Sequence, residues 1–105
     1  MTINSKQIIC ALDFDDFFNA ENFIKAIDYD IVYKVGMEFF YRFGIDGIRK
    51  ISNLKKNIKL FLDLKLHDIP NTVERAIYPL VTNVRPYMLT LHIGGGKKML
   101  KNAVF

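Results

Sequence analysis

Asp63, Lys65 and Asp68 stand in the stretch Leu62-Asp63-Leu64-Lys65-Leu66-His67-Asp68-Ile69-Pro70-Asn71-Thr72, and their types and spacing suit charge chemistry. An ammonium stabilises negative charge as it develops on a substrate and can then give up a proton to it; a neighbouring carboxylate keeps that ammonium charged and aimed. In an extended strand, side chains two apart share a face, so Asp63 and Lys65 point the same way as a preformed ion pair, with Leu62 and Leu64 on the other side. Asp68 lies past the strand end, free to reach elsewhere. The plain alternative for any Asp-x-Lys pair is a solvated strand end with a surface salt bridge. Here the flanks are too apolar for a solvated end. A lysine clamped by acidic neighbours in a dry pocket is costly unless the charges satisfy one another, and such arrangements concentrate at functional sites.

The elements that position these groups follow from the apolar runs. Ile8 to Leu12 reads as a strand buried on both faces and closed by Asp13. Asn19 offers an N-cap for a helix from about Ala20, with Phe23, Ile24 and Ile27 on one side. Ile31 to Val35 is the second strand, ending at Gly36 and carrying Lys34. A short helical piece from Met37 to Arg42 breaks near Gly44, and Ile45, Ile48, Ile51 and Leu54 then mark an amphipathic helix by their spacing. The third strand runs from about Lys59 to Leu64. A third helix follows Pro70, a residue suited to a first turn, with Val73, Ile77, Leu80 and Val81 inward; Pro79 should kink it or end it early. Met88 to His92 is the fourth strand, Gly94-Gly95-Gly96 a flexible turn, and a last helix runs from Lys97 to Phe105.

Strands opening near residues 8, 31, 59 and 87 repeat about every 26 residues, one strand and one helix per unit, which predicts a parallel sheet covered by helices. Eight such units need about 210 residues, close to the lower bound for a closed eight-stranded barrel. The 105 residues supply half of that as one α/β domain.

Composition narrows the function classes. Half of the chain is apolar and a quarter charged, as in a soluble globular protein. The net charge of +4 is mild, and no aromatic-basic interleaving accompanies it, so no nucleic-acid partner is expected. Lys55, Lys56, Lys59, Lys97, Lys98 and Lys101 are assigned to solvated helix faces or ends. Cys10 is the single cysteine; in an apolar run it reads as a buried, inert thiol, and the absence of a disulfide framework favours a reducing, cytoplasmic setting. Neither a signal-peptide pattern nor a membrane-length apolar window is present in the sequence.

The polar residues fall where the strands end. Asp13, Lys34, Asp63, Lys65 and His92 all lie at or beside the C-terminal ends of apolar runs. In a parallel barrel or doubly wound sheet those positions converge on one rim, where active sites occur. Taken singly, Lys34 is equally a snorkelling strand lysine, Asp13 a loop cap, and His92 a residue that satisfies a backbone carbonyl.

On Ala11-Leu12-Asp13, Lys34-Val35-Gly36 and above all Phe61 to Thr72, in this order and spacing, the chain resembles the N-terminal half of the orotidine 5'-phosphate decarboxylases. The Asp-x-Lys-x-x-Asp core is shared with related barrel enzymes acting on sugar phosphates, some of them metal-dependent; the continuation Ile69-Pro70-Asn71-Thr72 points to the orotidylate enzymes. The resemblance implies the first four βα units of a (β/α)8 barrel and decarboxylation of orotidine 5'-phosphate to UMP without metal or organic cofactor. It makes Lys65 the catalytic lysine, Asp63 its partner and Lys34 a further member of the charged network, with Asp13 on a ribose hydroxyl. Asp68, with Thr72, would enter the neighbouring subunit's site in a homodimer, and Asp63 to Thr72, Asn71 included, would line the substrate.

Two departures qualify that picture. Where the family usually has Ala and Ser after the fourth-strand histidine, this chain has Ile93-Gly94, and the later strands that carry the phosphate-gripping arginine and loop lie outside these residues. The 105-residue chain by itself is therefore expected to be inactive, with open edges and an uncovered inner face that invite aggregation, self-assembly or pairing with a separately encoded second half.

Overall fold

The computed structural model describes residues 2–104. Strands β1 (Ile9–Ala11), β2 (Val32–Gly36), β3 (Lys59–Leu66) and β4 (Met88–Leu91) alternate with helices α1 (Phe17–Ala26), α2 (Met37–Ser52), α3 (Pro70–Asn83) and α4 (Lys97–Asn102). Every strand pair is parallel and the sheet runs in the order β1-β2-β3-β4. A doubly wound sheet reverses its order at a switch point, whereas a barrel adds strands in sequence. The order therefore fits an arc of a barrel.

Alternation along the two central strands divides the side chains between two faces. Tyr33 and Val35 of β2, with Leu60, Leu62 and Leu64 of β3, pack in one core with Ala20 and Ile24 of α1, Phe39, Ile48 and Ile51 of α2, and Leu80 of α3. Lys34 and Asp63 belong to the opposite face. A second, smaller core joins Val73 and Ile77 of α3 to Met99 of α4, under Leu66, Leu89 and Leu91. Among the described residues, no helix is long and apolar enough to cross a membrane.

Several local expectations are corrected. The cap of α1 is Asp16, not Asn19: its carboxylate accepts from the backbone N–H groups of Phe18 and Asn19, so the helix starts three residues earlier. Strand β1 is not buried on both faces, because as an edge strand it leaves Ile8 and Ile9 about half exposed and Cys10 only partly covered. The break near Gly44 is present: φ is +66° there, a backbone that glycine adopts without strain, and the helical path bends between two pieces. Leu54 falls beyond the end of α2.

Pro79 does not end α3, which continues to Asn83. The last turn is held by side chains, since Asn83 Nδ2 donates to the Pro79 carbonyl at 2.9 Å and Thr82 Oγ1 to that of Tyr78 at 2.9 Å. Val81 faces outward at 41% exposure and is no part of the core. Helix α4 ends at Asn102, and Phe105 lies outside the described residues. Lys55 and Lys59 are not simply solvated: Lys55 reaches the Ile27 carbonyl and the Tyr33 hydroxyl, and Lys59 pairs with Asp30.

Candidate active site

Strand β3 delivers the charged pair, with backbone geometry other than the expected extended strand. It continues to Leu66 rather than stopping at Leu64, and its pairing with β4 slips: Leu62 faces Leu89, and the next paired position is Leu66 with Leu91. Four residues on β3 thus match two on β4, an irregularity of the kind that re-aims side chains beside active sites. Lys65 sits inside this bulge at φ +50°, in the left-handed region that non-glycine residues seldom occupy.

The ion pair forms all the same. Lys65 Nζ donates to Asp63 Oδ2 at 2.9 Å, and Lys34 Nζ of the neighbouring strand lies 3.4 Å from the same oxygen. Lys34 is thus a member of the charged cluster rather than a snorkelling strand lysine. The other carboxylate oxygen, Oδ1, accepts from the Thr90 hydroxyl at 2.8 Å, and that hydroxyl accepts the Lys65 backbone N–H at 3.0 Å. Asp63 is 9% exposed, the one charged side chain in the buried set among the described residues. Its carboxyl is held below the usual carboxylate range, first by the bond from Lys65 and then by that from Thr90, which outweigh the opposing push of burial, with a lesser contribution from Lys34.

The pocket is not dry. Lys65 keeps 59% of its side chain exposed and Lys34 30%, so the buried member is the carboxylate and the two ammoniums open outward from it. Two positive charges around one negative leave the cluster with an excess of one. Such a cluster attracts an anion and repels a metal cation.

The remaining expected residues flank this cluster without joining it. Asp13 is exposed just past β1, where Leu12 N donates to the Lys34 carbonyl at 2.8 Å. Asp68 turns back on its own chain, Oδ1 accepting the Ile69 N–H at 2.7 Å. Asn71 and Thr72 are exposed in the first turn of α3. A cavity of about 280 Å³ nevertheless brings Lys65, Asp68 and Thr72 to one lining, with Met37 and Tyr41 opposite.

Two features escaped the sequence reading. Thr90 is one; the alternation that puts His92 at the rim also puts Thr90, two residues before it, on the same side. The other is a stacked pair, His67 on His92, with ring centroids 4.6 Å apart and planes 10° from parallel. His92, expected to satisfy a backbone carbonyl, instead accepts the Gly94 N–H at Nδ1 (3.1 Å). The glycine run is an ordered 3-10 turn, Ile93–Gly95, and not a loose loop. A Cβ on Gly94 would stand 3.0 Å from His92 Nδ1, and one on Gly95 only 2.1 Å from Met99 Sδ, so the imidazoles and α4 press onto bare backbone there.

A cavity of about 450 Å³ at the opposite, N-terminal end of the sheet is lined by Tyr29, Asp30, Tyr33 and Lys55 among others. Its Lys55 and Asp30 are held by Tyr33 and Lys59, which makes it a braced end.

A family model described as "Orotidine 5'-phosphate decarboxylase / HUMPS family" matches residues 6–105. An orotidine 5'-phosphate decarboxylase of Wolbachia pipientis subsp. Culex pipiens (strain wPip) is 45% identical over 98 residues, covering 92% of this chain and 42% of the relative. One of Carboxydothermus hydrogenoformans is 46% identical over 101 residues, covering 94% and 40%. The crystal structure of orotidine 5'-phosphate decarboxylase from Lactobacillus acidophilus superposes with a TM-score of 0.81 at 38% identity, over 93% of this chain and 43% of that one. The chain therefore spans about two fifths of the length of the relatives it matches, consistent with the expected four βα units of a barrel.

Proposed function

The chain belongs to the orotidine 5'-phosphate decarboxylase / HUMPS family, and on that premise we propose that it contributes the lysine-bearing half of a site that decarboxylates orotidine 5'-phosphate to UMP. The observation that carries the proposal is the Lys34–Asp63–Lys65 array, one buried carboxylate shared by two ammoniums at 3.4 and 2.9 Å.

Loss of carbon dioxide from C6 of the pyrimidine breaks the bond to the carboxylate carbon and leaves the electron pair on C6, where no ring position accepts it. A fixed ammonium beside that carbon lowers the barrier most if it is in place before the charge appears. Lys65 takes that role. Its Nζ–H then delivers the proton to C6, and the nitrogen recovers a proton from solvent. Asp63 holds Lys65 in line and keeps it charged, and Lys34 holds Asp63 from the other side. Asp13, exposed at the end of β1 on the same rim, receives a ribose hydroxyl. The excess positive charge of the cluster suits a substrate that carries both a carboxylate and a phosphate. The phosphate grip falls to the part of the barrel that the relatives have beyond this match. Since that remote grip supplies binding energy that closes the site, the 105-residue chain alone is slow or silent.

Asn71 lines the substrate in this reading, and Asp68 and Thr72 serve a neighbouring subunit. What supports it is their exposure at the mouth of a cavity walled by Met37 and Tyr41. It continues into an apolar groove of about 220 Å³ along Phe40, Tyr41, Ile45, Ala76 and Pro79, a surface suited to a homodimer contact.

The test is the loss of orotidylate absorbance with this chain alone, with a C-terminal half from a relative, and with Lys65→Ala in the same mixtures. Turnover is expected only with the second half present, and it should disappear in Lys65→Ala. Decarboxylation that persists unchanged without the Lys65 ammonium rejects the role given to it. Activity abolished by a chelator and restored by magnesium replaces this reading with the metal-dependent sugar-phosphate chemistry of the same barrel group.

A further inference from the structure

We propose that Thr90 is the positioning residue of this site, its hydroxyl fixing the carboxylate of Asp63 and the backbone of Lys65 together, so that the ammonium is aimed before substrate arrives. This rests on the decarboxylase reading for what the aim is for, but not for whether the aim exists.

The geometry makes the case in three steps. The slip between β3 and β4 carries Lys65 through the bulge, where its N–H falls outside the regular ladder. Thr90 Oγ1 fills the gap at 3.0 Å. Having accepted that bond, the hydroxyl has one proton to give, and it goes to Asp63 Oδ1 at 2.8 Å. Its two functions are thereby committed in one direction, donor to the carboxylate and acceptor from the lysine backbone.

The second step is strain. Lys65 is held at φ +50°, a conformation that persists only where the surroundings over-determine it. Two ties do so here: the backbone bond to Thr90, and the side-chain bond from Nζ to Asp63 Oδ2 at 2.9 Å. Both lead back to the same pair of partners, because Thr90 and Asp63 are bonded to each other. Third, the two carboxylate oxygens of Asp63 are divided between the hydroxyl on one side and the two ammoniums on the other. Rotation of the carboxylate would cost the Thr90 bond, at 2.8 Å the shortest of its contacts, so the hydroxyl helps set which way Oδ2 presents itself to Lys65.

Three variants separate positioning from mere packing. Thr90→Val keeps the shape and removes both bonds; Thr90→Ala removes them without a branched side chain; Thr90→Ser keeps the hydroxyl. In the chain itself, the carbon-13 titration of the Asp63 carboxyl is expected to move up by roughly one pH unit in Thr90→Val. Hydrogen exchange at the Lys65 amide should quicken about tenfold or more, the factor that ~1.4 kcal/mol of lost bonding represents. Both should stay near wild type in Thr90→Ser. Complemented with a C-terminal half, Thr90→Val should lose kcat with KM nearly unchanged, and Thr90→Ser should recover it.

An Asp63 titration and Lys65 exchange unmoved by Thr90→Val overturn the assignment. So does failure of both Thr90→Val and Thr90→Ala to fold while Thr90→Ser folds, since the hydroxyl would then be a requirement of the fold and not of the site's aim. Should both readouts respond as expected while no mixture decarboxylates orotidylate, the substrate reading fails and the Thr90 assignment stands.

Discussion

The two ends of the β2–β3 pair use the same residue types in opposite ways. At the N-terminal end, Asp30 and Lys59 form a one-to-one pair, the ammonium 3.0 and 2.9 Å from the two carboxylate oxygens, with Asp30 open to solvent. Lys55 braces that end by reaching the Ile27 carbonyl and lying against the Tyr33 ring. At the C-terminal end one carboxylate is buried, two ammoniums and a hydroxyl compete for it, and the backbone of Lys65 is left-handed. One end is balanced one to one, while at the other a buried carboxylate is shared by two ammoniums and a hydroxyl, which leaves an excess positive charge that an anion would offset. This division is the one expected between the stabilising and the functional faces of a barrel.

Removing Asp63 should break the comparison most visibly. In Asp63→Ala, Lys34 and Lys65 lose the carboxylate that both approach and face each other across its place. We expect decarboxylation in the complemented enzyme to fall at least about a thousandfold, because the ammonium is neither aimed nor kept in line. Stability should fall by only about 1–2 kcal/mol, since both ammoniums retain access to water that a fully buried pair would lack. Turnover assays and urea melts on the same variant read the two effects. A variant that stays active while unfolding easily would make Asp63 a fold residue.

Acid separates the two carboxylates next. Both are held below the ordinary range, Asp63 first by Lys65 and Asp30 first by Lys59. A folded value below the unfolded one means that the unfolded chain binds protons first. The stabilisation is thus complete above the unfolded carboxylate value near pH 4, and is lost as pH falls through the folded one. Urea midpoints measured from pH 7 downward should show Asp63→Asn less stable than wild type at neutral pH, the gap closing below about pH 4. In about 1 M salt the corresponding gap for Asp30→Asn should vanish, while that for Asp63→Asn should persist, since exposed pairs are screened and buried ones far less so.

Much of this contrast was legible in the letters, and the part that was not has a physical cause. Asp63, Lys65 and Lys34 interrupt apolar runs, and strand periodicity alone places them on one face at the right end of the sheet. The alternation of strands and helices carried the α/β class, and Gly44 its break. The left-handed backbone of Lys65 was hidden, because strand alternation assumes extended residues and a bulge is set by pairing with β4, a partner some 25 residues away. Thr90 was hidden for the same reason: threonine is an ordinary strand residue, and only the slipped register gives its hydroxyl two tasks. Acidic and amide residues crowd the stretch from Asp13 to Asn19, and only geometry selects Asp16 as the one that reaches two N–H groups. Pro79 misled because propensity counts the lost bond and not the Asn83 and Thr82 side chains that hold the turn after it.

A subtler comparison concerns strain. Left-handed residues occur at both ends of the sheet, Lys65 at φ +50° above, Asn57 at +58° and Arg85 at +53° below. Lys65→Ala and Lys65→Gly both remove the ammonium and differ only in what they ask of the backbone. Glycine ordinarily costs ~0.5–1 kcal/mol relative to alanine through its freedom in the unfolded chain. At a left-handed position the Cβ penalty of about 1–2 kcal/mol outweighs that cost. Lys65→Gly should therefore be the more stable of the two inactive variants by a few tenths to 1 kcal/mol, read as a difference in urea midpoint. The opposite order would mean that this turn relaxes to an extended path once the lysine is gone, and that the side chain itself was holding it there.

The smallest expected effect lies at the braced end. Lys59→Met removes the ammonium and keeps an apolar stem of similar length, so the packing of that side chain survives. Asp30 is left without its partner, but it stands in water and is solvated in place. The complemented enzyme should keep wild-type kcat and KM, and the melting curve should differ detectably only at low salt, where exposed pairs are least screened. A substantial loss of turnover in Lys59→Met would mean that the charge at the foot of β3 is felt at Asp63, four residues up the strand. The two ends would then form one electrostatic unit, and the buried carboxylate would owe its state to more than Lys34, Lys65 and Thr90.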